Sequence, residues 1–159
     1  MGEYKDGEEA LGQANLYDPL NPDVWGYLAL CNLELPDGMV KAYQCIKEMM
    51  KLEIKKQDIL EDLGDKLTEK QKYELADACY KRIIDGWNAQ NSNFIATRGI
   101  GYIYAKLGKL YHLQDKMIEA KVNYTEALKF LDDDDEKERI ELILSENFNV
   151  VLESPMESP

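Results

Sequence analysis

Seven positions recur with identical spacing twice along this chain, and that self-similarity constrains the fold more than any other feature. One copy holds Leu60, Leu63, Gly64, Leu67, Ala76, Tyr80 and Ile83. The other, 44 residues on, holds Tyr104, Leu107, Gly108, Tyr111, Ala120, Tyr124 and Ala127. Apolar residues spaced by three and four share one face of an α-helix. The wider gap between the fourth and fifth positions leaves room for a turn, so each copy reads as two helices joined tightly. Small residues (Gly64, Ala76, Gly108, Ala120) stand where the paired helices cross, and large ones fill the space between neighbouring pairs. A looser copy with one residue inserted precedes them: Trp25, Leu28, Ala29, then Ala42, Ile46 and Met49.

The pattern resembles the tetratricopeptide repeat (TPR), a unit of about 34 residues folded as a helix A and a helix B. The resemblance implies an all-α, TPR-like α-solenoid of antiparallel helical hairpins. Residues 1–21 read as the helix B of a partial repeat, since Ala14 to Pro19 looks like its end and Pro19 lies six residues ahead of Trp25. Repeats then span 22–56, 57–90 and 91–134. The third carries extra residues around Asn88 to Thr97, where Asn88, Asn91, Ser92 and Asn93 suit caps and turns. These residues either lengthen helix A of the third repeat or form a loop, and an extended helix A is expected from near Ser92 to about His112. Residues 136–150, with Ile140, Leu142, Ile143 and Leu144, read as a capping helix, and 151–159 as a disordered tail. No proline falls between residues 37 and 154, which permits helix throughout.

Charge narrows the partners. Residues 132–159 hold ten acids against Lys137 and Arg139, so most of the formal charge of −12 sits at that end. Such a surface repels nucleic acid and anionic lipid and attracts basic or mixed-charge protein segments. No run of about 18 apolar residues is present, and Met1 to Asp6 is too polar for a signal peptide. Cys31, Cys45 and Cys79 are odd in number and form no CxxC, which fits a reduced, cytoplasmic setting.

Catalytic and cofactor chemistry finds little support. His112 is the single histidine, and its spacing suggests no nucleophile or acid partner. Gly99-Ile100-Gly101 lacks the strand and third glycine of a phosphate loop, so close helix approach explains it better. Asp132 to Asp135 could suggest calcium, but an EF-hand loop starting there would need Gly at 137 and Glu at 143. An acidic turn capping the next helix is the simpler reading. No cofactor or metal is therefore expected, and no enzyme. Ser154-Pro155 and Ser158-Pro159 could accept proline-directed phosphorylation.

The TPR resemblance implies a concave groove lined from helix A. The inward positions would be Asp23, Gly26, Tyr27, Leu30, Leu33 and Glu34 in the first repeat. They would be Asp58, Glu61, Asp62, Asp65, Thr68 and Glu69 in the second, and Tyr102, Ala105, Lys106, Lys109, His112 and Leu113 in the third. Tyr27, Leu30, Asp58, Glu61, Asp62, Asp65, Tyr102, Lys106, Lys109 and His112 are the protein-binding candidates. Five acids in the second repeat would repel the acidic tails that chaperone-binding TPR domains clamp with Lys, Arg and Asn.

The run Asn21-Pro22-Asp23-Val24-Trp25-Gly26-Tyr27-Leu28-Ala29-Leu30 also resembles the last repeat of the TPR-bearing cilia- and flagella-associated proteins, the type numbered seventy. That likeness covers residues 8–60 and implies a structural adaptor of the ciliary or flagellar axoneme, without enzymatic activity. The alternatives are a soluble cytoplasmic adaptor or co-chaperone, and a regulatory subunit of an enzyme.

Overall fold

The computed structural model describes residues 2–89 and 99–148. Among these residues the chain forms eight α-helices and no strand. They divide between two compact units, residues 1–97 and 98–159.

The first unit contains α1 (Gly2–Tyr17), α2 (Pro22–Leu33), α3 (Met39–Met49), α4 (Asp58–Glu69) and α5 (Tyr73–Asn88). Helices α2 and α3 pair, as do α4 and α5, while α1 and α4 each pack on α2. Proline fixes the start of α2: Pro22 occupies the first turn, where its missing N–H costs nothing, and Asn21 caps it by accepting the Asp23 N–H at 3.0 Å. The Trp25 indole N–H donates back to the Pro19 carbonyl at 2.8 Å, fixing the approach of the preceding chain. Gly38 closes the α2–α3 turn against the Asn32 carbonyl, where a Cβ would have no room.

In the α4–α5 hairpin the recurrent small and large positions meet. A Cβ at Gly64 would lie 2.5 Å from the Tyr80 ring, so only glycine lets the two helices come so close. Leu60, Leu63, Leu67, Ala76, Cys79, Tyr80 and Ile83 fill the crossing and are all essentially solvent-free. A second close approach joins the hairpins: a Cβ at Gly26 of α2 would run into Ile59 of α4 and Met49 of α3.

The second unit contains α6 (Ile100–His112), α7 (Met117–Phe130) and α8 (Asp134–Phe148). Gly108 repeats the arrangement of Gly64, with a Cβ there lying 2.6–2.8 Å from the Tyr124 ring. Gly101 does the same against the backbone of Phe130 and Leu131, so close helix approach accounts for Gly101, whereas nothing lies within 4 Å of a Cβ at Gly99. Helix α8 packs on α7 through buried Ile140 and Leu144. Its start is capped by Asp133, whose Oδ1 accepts the Glu136 N–H at 3.0 Å.

The α4–α5 and α6–α7 turns are built alike although their sequences differ. Gln71 and Asp115, at equivalent repeat positions, both adopt left-handed backbone (φ 58° and 59°). The next N–H in each, Lys72 and Lys116, reaches the carbonyl of Leu67 and Tyr111 respectively, at 2.8 and 3.0 Å. This is the six-residue closure that ends helices through a left-handed residue.

The sequence favours a helix from near Ser92 to about His112, with a loop around Asn88 to Thr97 as the alternative, and the structure breaks that helix at Gly99. Gly99 sits at φ 85°, ψ 152°, and α6 begins only at Ile100. That backbone is left-handed and favours glycine, so it stops a helix rather than continuing one. Residues 90–98, including Asn91, Ser92 and Asn93, and the tail from 149, including Ser154 and Ser158, lie outside the described residues.

Candidate functional site

Two helices of the first unit present matching faces. From α2 and its C-cap come Tyr27, Leu30, Cys31 and Glu34, and from α4 come Asp62, Asp65, Lys66 and Glu69. Each set follows the i, i+3, i+4, i+7 rhythm of a single helix face. Tyr4 of α1 completes the lining of a cavity of about 340 Å³. Because the opposite face of α4 is committed to Ile59, Leu60, Leu63 and Leu67 in the core, its polar residues must turn outward here. Tyr4 and Tyr27 remain roughly 45% and 43% exposed, so their rings are open to a ligand.

Four carboxylates and one ammonium line this cavity. The Lys66 Nζ stands 3.0 Å from Glu34 Oε1 and 3.4 Å from Glu69 Oε2. The hydrogen bond to Glu34, then its charge, hold the Lys66 pKa above the ordinary lysine value. Asp65 accepts the Tyr80 hydroxyl at 2.7 Å, tying the cavity wall to α5. Burial, followed by the charge of Glu8, pushes the Cys31 thiol up, so it stays protonated and poorly nucleophilic at neutral pH. Cys45 and Cys79 are buried, and all three sulfurs are free. Among the described residues no group of three His, Cys, Asp or Glu is placed to hold a metal.

Of the residues expected to face inward, the structure brings together Tyr27, Leu30, Glu34, Asp62, Asp65 and Glu69. Asp58 is exposed and Glu61 half-buried on α4, and neither lines the cavity. Gly26 and Leu33 are not groove residues: both are buried, and Gly26 receives Ile59 and Met49. The contact between α2 and α4 consumes that side of α2.

The second unit departs further from expectation. Tyr102 donates its hydroxyl to Asp133 Oδ2 at 2.9 Å, so it fastens α6 to the start of α8. The His112 ring meets Tyr124 edge-on at 6.4 Å and Phe148 at 5.6 Å, which engages it with α7 and the end of α8. Both side chains thus take part in packing within the second unit while staying half-exposed. Ala105 is buried, Lys106 half-buried and Lys109 exposed. Tyr4, Cys31 and Lys66 were absent from the expected set. The i+4 spacings Tyr27–Cys31 and Asp62–Lys66 would have found the latter two, whereas nothing in the sequence brings α1 to this site.

No family model matches the chain, and no curated protein matches it. Nothing in these comparisons therefore adds support to the ciliary likeness of Asn21 to Leu30. Among solved structures the chain is similar to one titled "Crystal structure of MamA". The match has a TM-score of 0.56 and 18% identity, covering 80% of this chain and 68% of that one. No helix among the described residues is long and apolar enough to cross a membrane. At such low identity the likeness speaks for architecture alone, and the chain has the all-α, TPR-like fold of helical hairpins found in MamA.

Proposed function

We infer that this chain is a non-catalytic protein–protein interaction scaffold whose first unit holds a basic or mixed-charge polypeptide segment. The cavity walled by Tyr27, Leu30, Asp62 and Asp65 carries this reading. It combines apolar and aromatic surface with an excess of carboxylate, which suits an aliphatic stem ending in a cation. TPR-like hairpins leave one helix face open for partners, which favours binding over chemistry. The overall charge of −12 steers basic segments toward such a surface. A co-chaperone clamp on an acidic tail fits less well, because Lys66, the cation lining the cavity, is already bridged to Glu34 and Glu69.

A synthetic peptide array tests the reading. Basic and mixed-charge peptides should be retained, and Asp62→Lys should release them. Equal retention of acidic peptides would refute it. Placement in the axoneme rests on the Asn21 to Leu30 run alone. Proteomics of isolated axonemes that never recovers the protein would remove that placement and leave the scaffold reading intact.

A further inference from the structure

We propose that the cavity between α1, α2 and α4 is a receptacle for a single arginine side chain of the bound segment, and that Lys66 is an internal cation which the incoming guanidinium displaces from Glu34 and Glu69. The inference rests on the first unit being the peptide-holding surface. Size sets the first limit. A cavity of about 340 Å³ lies at the small end of ligand pockets, so it admits one long side chain and not a helix.

Chemistry sets the second limit. Glu34 and Glu69 already hold one cation between them, at 3.0 and 3.4 Å, so the geometry for receiving a cation is built and occupied. The Lys66 stem belongs to the wall itself, and its side chain is 42% exposed. Its ammonium can swing into water when a competitor arrives, at the cost of its two partly exposed ion pairs, to Glu34 and Glu69. A guanidinium gains more from this cavity than an ammonium does. It offers five N–H donors in a plane to several carboxylates at once, and that plane stacks on tyrosine faces. Tyr4 and Tyr27 supply such faces in the same lining, and Leu30 covers the aliphatic stem. A lysine brings three donors on a compact charge and has no plane to bridge several carboxylates or to stack.

The test uses the full chain and short synthetic peptides that differ at one position, which holds arginine, lysine or citrulline. Affinities are read by fluorescence anisotropy at low ionic strength, where exposed charges are least screened. The arginine peptide should bind roughly tenfold more tightly than the lysine peptide, and citrulline, isosteric but neutral, should bind weakest. Lys66→Gln removes the internal competitor and should tighten arginine binding by about three- to tenfold, since one unit of positive charge leaves the cavity. Glu34→Gln and Tyr27→Leu should each weaken it by about tenfold or less. A circular dichroism spectrum equal to that of the parent establishes that each variant is folded. If basic peptides bind but arginine and lysine are equivalent, or Lys66→Gln weakens binding or leaves it unchanged, the arginine receptacle is wrong and the scaffold reading survives. If no basic peptide binds at all, both fall.

Discussion

Replacing Gly108 by alanine should destabilise the second unit, although the same change in an open helix stabilises. Two effects oppose each other. Alanine is favoured over glycine in a helix interior by about 1 kcal/mol. Against that, the new methyl would stand 2.6 Å from Tyr124 Cδ1 and 2.8 Å from Cγ and Cε1, where carbon atoms rest about 3.5–4.0 Å apart. The ring must therefore retreat by about 1 Å. It cannot do so freely, because the His112 and Phe148 rings pack edge-on against it and its exposure is only 3%. Overpacking of this kind costs about 1–3 kcal/mol, so the net loss is about 0–2 kcal/mol. A double-mutant cycle measured by urea unfolding makes the argument decisive. In a Tyr124→Ala background the obstructing ring is gone, and Gly108→Ala should then stabilise by about 1 kcal/mol. Gly12→Ala on α1 is the control, since nothing lies within 4 Å of a Cβ there, and it should stabilise without qualification. If Gly108→Ala stabilises the parent protein, or has the same sign in both backgrounds, the crossing does not lie where the repeat pattern puts it.

Gln71→Gly should stabilise by about 0.5–1 kcal/mol, because a left-handed residue other than glycine is strained at φ 58°; a loss in urea unfolding would show that the side chain contributes more than the backbone strain it brings. Asp133→Ala removes both the α8 cap and the acceptor for Tyr102, so hydrogen exchange in α8 should quicken while α4 and α5 stay protected; unchanged exchange in α8 would discount the latch. The backbone hydrogen bond from Glu136, then the Tyr102 hydroxyl, hold the Asp133 carboxyl below the ordinary 3.8. Its contribution is therefore present above that pH and lost as pH falls through the lowered folded value. Burial pushes the Cys79 thiol up to about 12. Iodoacetamide at pH 8 should thus label Cys31 well before Cys79 in the folded protein. Between about pH 9 and 12 the unfolded thiol ionises while the folded one does not, so stability should fall across that window. Labelling of Cys79 as fast as Cys31 would contradict its burial.

The hairpins were legible because their information is local. Gly64 with Tyr80, and Gly108 with Tyr124, are joined by one turn, so residue type and spacing alone place small against large. The left-handed turns were not legible, since Gln71 and Asp115 share no side-chain chemistry that announces positive φ. Longer-range packing was legible only in part. Gly26 looked like a groove position by its place in the repeat, yet it meets Ile59 from the following hairpin. Which face of α2 is covered depends on how α4 lies against it, and no pattern within α2 encodes that angle. The same reason hid Tyr4, whose helix has no buried residue and a poorly defined apolar stripe. Gly99 was misread because glycine is tolerated inside helices as well as at their ends, and only its backbone angle decides.

The acidic face of α4 carries a local electrostatic cost that its own pairings relieve in part. Asp58, Asp62, Asp65 and Glu69 follow one another at steps of three and four, so each pair of neighbours places like charges on the same face. Such pairs cost an isolated helix about 0.2–0.5 kcal/mol each. The helix dipole tolerates Asp58 and Asp62 in the first half but opposes Asp65 and Glu69 in the second, where cations are favoured. The fold relieves part of this strain from within. Lys66 bridges Glu69 to Glu34, and Tyr80 donates to Asp65. Relief by Lys66 is weak, because the ammonium is exposed and pays its own ordering entropy. Asp62, Asp65 and Glu69, with Glu34 from the end of α2, thus bring like charges together beside the Tyr4 and Tyr27 rings, and the basic segment proposed above would offset the repulsion that remains.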